Sequence, residues 1–204
     1  MNLPNKLTVL RMLIVPVMVF CMLSNNVSVN PIWLITTRWL ALLLFIFASI
    51  TDAFDGYYAR KYNLVTNFGK LMDPLADKLL VLSAFVAMQE LDLFPAWLVI
   101  IVLCRELLVT SLRMIGVTQN RVIQADNWGK NKTISQMIVI ICAMLLLALQ
   151  NTFQYFGMWE GPVREWHIYG GWLVKILIVY ALIATVLSGY FYVSKNIDLL
   201  IDAN

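Results

Sequence analysis

The chain contains 204 residues, of which 61% are hydrophobic and only 13% are charged, and its formal net charge is +3 at pH 7. A composition this apolar lies outside the range of soluble globular proteins and indicates an integral membrane protein, whose length suits one bundle. The small net charge gives no support for nucleic-acid binding. The three cysteines lie in apolar runs without a CxxC pair, which argues against a disulfide framework or a thiolate metal site.

Six apolar stretches follow one another along the chain, each about 17 to 23 residues long, which fits the hydrocarbon thickness of a bilayer. They cover residues 7–23, 32–50, 71–91, 96–117, 133–149 and 171–193. The first stretch is interpreted as a retained helix, because no small-residue cleavage site follows it and further spans do. The sequence therefore predicts an all-α, polytopic membrane protein with six transmembrane helices in one bundle, forming a single domain over residues 1–204.

Three polar residues recur at helical spacing on one side of the first stretch. They are Asn5, Thr8 and Arg11. Contact with a lipid head group is one interpretation of this polar side, and helix capping by Asn5 is the simpler one.

Lys and Arg residues near the ends of the stretches are distributed unevenly between the two sides of the predicted bundle. One side carries Lys6, Arg60, Lys61, Lys70, Arg121, Lys130, Lys132 and Lys195, whereas the other carries little more than Arg38, Arg164 and Lys175. Because basic residues are enriched on the cytoplasmic side of membrane proteins, both termini are predicted to be cytoplasmic. The cytoplasmic membrane of a bacterium is the expected location, since no transit peptide precedes the first stretch.

Four carboxylates stand close together at the end of the second stretch and the start of the third: Asp52, Asp55, Asp73 and Asp77. Helical periodicity places Asp52 on one stripe with Gly56 and Ala59, with Asp55 and Arg60 flanking it. Asp73 and Asp77 share a helix face if the helix is already wound at Asp73. Pro74 leaves this open, because it either occupies the first position of that helix or lies inside a helix that began earlier.

Like charges this close together, beside a membrane, repel one another and lose hydration, so we expect cations to bind between them. Oxygen ligands suit Mg²⁺ or Mn²⁺, and no His or Cys lies nearby to favour zinc. Two divalent ions about 4 Å apart would hold a phosphate or pyrophosphate for in-line displacement. Gly56 and Ala59 leave room for such a ligand, and Arg60 offers a fork of donors to a phosphate oxygen.

The motif that contains these acids resembles the signature of the CDP-alcohol phosphatidyltransferases at all eight specified positions. It reads Asp52-x2-Asp55-Gly56-x2-Ala59-Arg60-x8-Gly69-x3-Asp73-x3-Asp77. The resemblance implies transfer of a phosphatidyl group from a CDP-linked donor, usually CDP-diacylglycerol, to an alcohol, with release of CMP. Because both halves of the motif lie on the predicted cytoplasmic side, the active site is expected to face the cytoplasm.

The same resemblance implies a role for each residue of the motif. Asp52, Asp55 and Asp73 would hold the metals, and Asp77 would take the proton from the attacking hydroxyl and also touch a metal. The CDP-lipid site would be lined by Gly56, Ala59, Arg60 and Thr66. Members of the family are often homodimers, so a homodimer is expected here as well.

Charged residues in the fourth stretch and before the fifth predict a site for an anionic acceptor. Arg105 and Arg113 lie near one face of a helix, and Lys130 and Lys132 precede the fifth stretch. Charges in a membrane span are costly enough to indicate a function or a buried ion pair. Arginine forks suit a phosphate group. Pairing of Arg105 with a carboxylate, and use of the two lysines only as topological markers, are the alternatives.

The choice of acceptor follows from these residues and from a further resemblance. Segments 2–8, 105–113 and 129–133 resemble the branch of the family that uses sn-glycerol 3-phosphate. Other acceptors within the family stay open, namely inositol phosphate, phosphatidylglycerol and serine. Two other classes are weaker candidates: intramembrane prenyltransferases, which lack the Gly-x2-Ala-Arg continuation, and divalent-cation transporters, whose ion site is expected in mid-membrane.

Overall fold

The computed structural model describes the backbone of residues 3–24, 30–61, 67–119 and 127–198, and the side chains of residues 5–24, 30–52, 72, 74–117, 119 and 128–198. Within these ranges the chain forms six α-helices and no strand, which confirms the all-α prediction. The helices are α1 (Leu3–Met22), α2 (Pro31–Lys61), α3 (Asn67–Glu90), α4 (Ala96–Thr118), α5 (Asn127–Tyr155) and α6 (Pro162–Lys195).

Several helices are longer than the apolar stretches that predicted them. The α2 helix continues past residue 50 to Lys61 and so includes the first half of the aspartate motif. The α6 helix likewise begins at Pro162, ahead of the apolar stretch 171–193. Hydropathy marks only the part of a helix suited to hydrocarbon, whereas backbone hydrogen bonding continues beyond it. Proline at the first helical position also favours an early start, since its φ angle is already helical.

Four helices of the described chain are long and apolar enough to cross a membrane. The candidate spans are Asn5–Met22, Pro31–Asp52, Trp128–Tyr155 and Pro162–Lys195. The α3 and α4 helices, which carry Asp73, Asp77, Arg105 and Arg113 of the predicted site, are not among them. The chain is thus a multi-pass membrane protein by composition and helix length, and the count of six spans stays a prediction.

The apolar core is built mainly between α1, α2, α3 and α5. Its largest fully buried side chains include Met18, Phe45, Phe85 and Ile140. Four buried alanines, Ala41, Ala48, Ala84 and Ala87, lie in the same core. Small residues let helix backbones approach closely, which is how membrane helices gain packing energy without a hydrophobic effect between them.

Polar contacts tie the bundle together at the end where α2 begins. Arg38 donates a hydrogen bond to the carbonyl oxygen of Met22, close to the end of α1. Trp39 donates from Nε1 to Oγ1 of Thr152 over 3.1 Å, which joins α2 to the last turns of α5. These contacts leave the charged residues of the motif and of α4 at the opposite end of the bundle.

Candidate active site

The first acid of the motif pairs with a residue of α1. The guanidinium of Arg11 donates to Oδ1 of Asp52, and the Arg11 side chain is 0% exposed whereas that of Asp52 is 34% exposed. Thr8 and Asn5 are buried on the same side of α1. The prediction that Asn5 caps the helix is wrong, because α1 begins at Leu3 and Asn5 lies inside it. The polar side of α1 therefore faces the motif at Arg11, and head-group contact stays a prediction.

The second half of the motif is helical throughout. The α3 helix begins at Asn67 and contains Pro74 in its interior, so the alternative in which Pro74 starts the helix is wrong. Asp73 and Asp77 accordingly sit four apart on one continuous helix, the spacing that brings residues to one face.

Several predicted site residues lie outside what the structure describes in full. Only the helical backbone is described for Asp55, Gly56, Ala59, Arg60 and Asp73, and Thr66 is outside the described residues altogether. Their roles in metal and CDP-lipid binding stay predictions.

Asp77 lines a cavity of about 460 Å³ between α3, α4, α5 and α6. Its carboxylate interacts electrostatically with Asp52 and Arg11, and also with Lys132 and Glu106. Asp77 therefore connects two charged groups of the protein: the motif acids on α2 and α3, and the charged residues contributed by α4 and α5.

All four residues predicted to bind the acceptor phosphate line this same cavity. They are Arg105, Arg113, Lys130 and Lys132. Among the described residues, the cavity has one further cation, Lys78, and one carboxylate besides Asp77, that of Glu106. The structure thus brings the predicted base and the predicted phosphate ligands together, although residues 77 and 132 are far apart in the sequence.

Two of these cations are held by Glu106. Its Oε1 accepts from Nζ of Lys132, and it lies 3.1 Å from Nη1 of Arg105. Nη2 of Arg105 donates to the hydroxyl of Ser188 on α6. The alternative in which Arg105 pairs with a carboxylate is therefore realised, and the same side chain still lines the cavity. Gly189 comes so close that a Cβ there would lie 3.3 Å from Cγ of Arg105.

The other cations have different surroundings. Nε of Arg113 donates to the hydroxyl of Tyr192 over 3.3 Å, and its guanidinium carbon lies 5.9 Å from the centre of the Tyr192 ring. Nζ of Lys78 donates to Oγ1 of Thr110. Lys130 is exposed.

The sequence predicted no role for Lys78, Glu106, Ser188 and Tyr192, which shape the site, and for Arg11 it offered only contact with a lipid head group. The signal for the α6 residues was present, since Thr185, Ser188 and Tyr192 recur at helical spacing in an apolar helix and all three are buried. The signal for Arg11 was its place in an apolar stretch beside Thr8. Neither pattern identifies the residue that is contacted, because each contact is made with a residue of another helix.

The described oxygen donors fit a hard divalent cation, since carboxylates such as those of Asp52 and Asp77 are the ligands that Mg²⁺ and Mn²⁺ prefer. Within the side chains that the structure describes, no group of three or more His, Cys, Asp or Glu residues forms a complete metal site. The remaining two predicted ligands, Asp55 and Asp73, fall outside that set.

Comparison with known proteins identifies the class. The family model of the CDP-alcohol phosphatidyltransferases matches residues 1–186, and the chain belongs to this family. A protein of Bacillus subtilis (strain 168) named CDP-diacylglycerol–glycerol-3-phosphate 3-phosphatidyltransferase is 40% identical over 207 residues, covering 100% of this chain and 99% of the relative. A Rickettsia felis protein of the same name is 35% identical over 191 residues, covering 94% and 93%. A probable phosphatidylglycerophosphate synthase of Mycobacterium tuberculosis (strain H37Rv) is 34% identical over 194 residues, covering 95% and 81%.

The ion pair between Arg11 and Asp52 generates a prediction about stability. We expect Arg11→Met to lower the melting temperature of the purified protein in the absence of divalent cations, because Asp52 then loses its buried partner. A loss of about 1 kcal/mol corresponds to roughly 2–4 °C for a chain of this size. Thermal unfolding in detergent measures the effect, and Arg11→Lys, which keeps the charge, is the matched control. Equal melting temperatures for the two variants would contradict the importance of the charge pair.

Proposed function

We propose that the protein transfers the phosphatidyl group of CDP-diacylglycerol to sn-glycerol 3-phosphate, giving phosphatidylglycerophosphate and CMP. The observation that carries the proposal is the single cavity lined by Asp77 together with Arg105, Arg113, Lys130 and Lys132. A short acceptor with a phosphate at one end and a hydroxyl at the other matches a cavity that has cations and a carboxylate. The names of the relatives support the same donor and acceptor.

In this reaction the acceptor's hydroxyl oxygen forms a bond to the phosphorus of the phosphatidyl group. The bond from that phosphorus to the bridging pyrophosphate oxygen breaks, and CMP leaves with the electron pair. Asp77 takes the hydroxyl proton, so it acts as the general base. Arg113, with its planar fork and its position on the cavity wall, binds the acceptor phosphate and orients the hydroxyl toward Asp77.

The donor side of the site belongs to the motif. Asp52, Asp55, Asp73 and Asp77 would hold two divalent ions, Mg²⁺ or Mn²⁺. When bound, such ions neutralise the pyrophosphate and the developing charge on CMP. Gly56, Ala59, Arg60 and Thr66 would line the CDP-lipid site beside them. The ion pair with Arg11 holds the carboxylate of Asp52, one of these proposed metal ligands, in place.

The proposal includes the setting of the enzyme. We place it in the cytoplasmic membrane of a bacterium, with six spans, both termini and the active site on the cytoplasmic side, where a soluble acceptor is available. The distribution of Lys and Arg supports this orientation. We also propose a homodimer, in keeping with the family resemblance.

The first test is CMP release from CDP-diacylglycerol by purified protein with Mg²⁺. We expect glycerol 3-phosphate to stimulate release, and serine, inositol phosphate and phosphatidylglycerol to leave it at background. Stimulation by one of the other acceptors instead would contradict the proposed substrate and keep the family chemistry. Absence of release with every acceptor would contradict the proposed reaction.

The role of Asp77 predicts the effect of its amide. Asp77→Asn should lower kcat by about 10²–10⁴-fold, because the amide cannot accept the proton. The matched control is Asp92→Asn, at an exposed turn whose φ of 57° asparagine tolerates well. Stopped assays of CMP formation at saturating substrates measure kcat. Turnover of the Asp77 variant within a few fold of the control would rule out the general-base role.

The role of Arg113 predicts a change in substrate binding. Arg113→Ala should raise the apparent KM for glycerol 3-phosphate about 10-fold or more, since a hydrogen bond to a charged group contributes about 1.5–3 kcal/mol. The KM for CDP-diacylglycerol should change little. Arg113→Lys keeps the charge but loses the planar fork of donors. Its KM for glycerol 3-phosphate should lie between those of the wild type and of Arg113→Ala. An unchanged KM for glycerol 3-phosphate would leave Arg113 with its structural contact to Tyr192 only.

A further inference from the structure

Glu106 is a carboxylate placed inside a cavity that we propose binds an anion. Its side chain is 12% exposed, and it contacts both Lys132 and Arg105. A negative charge in this position repels a phosphate, so its presence among five cationic side chains of the described cavity wall needs a physical reason.

Burial of Lys132 supplies that reason. The Lys132 side chain is 5% exposed, and an ammonium group removed from water is stable in its charged form only when it is paired. Glu106 is its ion-pair partner among the described residues. Without this carboxylate, the charged form of Lys132 would keep its electrostatic interaction with Asp77 but would have no ion pair in the described part of the chain.

Arg105 is held by the same carboxylate and by α6. One terminal nitrogen of its guanidinium faces Glu106 and the other donates to Ser188, while Nε is buried without a hydrogen-bond partner in the described residues. Two fixed contacts on a planar group leave Arg105 little freedom of rotation. Glu106 therefore fixes a cation on α5 and a cation on its own helix at once.

A third cation, Lys78, is linked through Thr110 to the helical turn that contains Glu106. Oγ1 of Thr110 donates to the main-chain carbonyl oxygen of Glu106 over 2.6 Å, and the same hydroxyl accepts from Nζ of Lys78. Lys78 follows the proposed base Asp77 directly in the sequence. In contrast, no ion pair joins Lys78, Arg113 or Lys130 to a carboxylate in the described part of the chain, so none of these three cations is neutralised in that way.

We propose that Glu106 is a positioning residue for the acceptor phosphate. It keeps Lys132 charged and holds Lys132 and Arg105 at fixed places in the wall, so that the phosphate meets donors that are already ordered. Preordered donors bind more tightly, because little side-chain freedom is lost on binding. This inference rests on the proposed function, and it concerns the acceptor only.

The test is the steady-state kinetics of Glu106→Gln, which keeps the shape of the side chain and removes its charge. We expect the KM for glycerol 3-phosphate to rise about 10-fold, with the KM for CDP-diacylglycerol within two-fold of the wild type. Glu106→Asp, which keeps the charge on a shorter side chain, should restore part of the loss. The matched control is Glu90→Gln at the exposed end of α3. An unchanged or lower KM for glycerol 3-phosphate in Glu106→Gln overturns the inference.

A double-mutant comparison separates positioning from a general structural role. Because Glu106 acts through Lys132 as well as Arg105, the double variant Glu106→Gln with Lys132→Met should raise the KM for glycerol 3-phosphate by less than the product of the two single effects. If the KM of the double variant rises by the full product of the two single effects, the inference is overturned.

A binding measurement that requires no turnover tests the inference independently of the proposed function. Inorganic phosphate should raise the melting temperature of the wild type and of Glu90→Gln, and should have less effect on Glu106→Gln. Equal stabilisation of all three proteins overturns the role of Glu106, whichever acceptor the enzyme uses. If glycerol 3-phosphate does not stimulate CMP release by the wild-type protein, the proposed function is contradicted, even if the stabilisation by inorganic phosphate depends on Glu106.

Discussion

Charge in an apolar environment must be paired, and this constraint arranges the active end of the bundle. Arg11 has no solvent exposure and is neutralised by Asp52, and Lys132 is neutralised by Glu106. Each pair joins two consecutive helices through residues that are far apart in the sequence, α1 with α2 and α4 with α5. A shift of either helix along its neighbour would separate charges at a high cost in free energy. The ion pairs therefore fix the positions of the helices at the place where the reaction is proposed to occur.

The opposite end of the bundle is held by other polar contacts. The buried guanidinium of Arg38 donates to the carbonyl oxygen of Met22 there. Hydroxyl and indole groups connect α2 with α5 and with Ser24 just after α1, as in the 2.6 Å contact between Ser24 and Thr37. Between the two ends, buried alanines allow the helices to pack closely. These contacts and the ion pairs of the active end together position the helices that surround the cavity.

The sequence predicted the helical class, the aspartate motif and four of the five basic residues of the cavity, because each leaves a local pattern of composition or spacing. It did not predict the contact between Arg11 and Asp52, which joins residues 41 positions apart. Nor did it predict the role of Glu106, since the pairing depends on how α4 and α5 are placed by α3 and α6, against which both helices pack. Helix ends were misplaced at α2 and α6 for a different reason: hydropathy reports the environment of a residue, whereas helix length depends on backbone hydrogen bonding and on end residues such as Pro162.

The contact between Gly189 and Arg105 links substrate recognition to the shape of the protein's lipid-facing helices. The α6 helix approaches α4 at a position without a side chain, and the Cγ of Arg105 occupies the space beside it. A methyl group at this position would press on the stem of Arg105 and move its guanidinium relative to Ser188. The distance between α4 and α6 and the position of the Arg105 cation are therefore coupled, so we expect the proposed acceptor site to restrict which residues can replace Gly189.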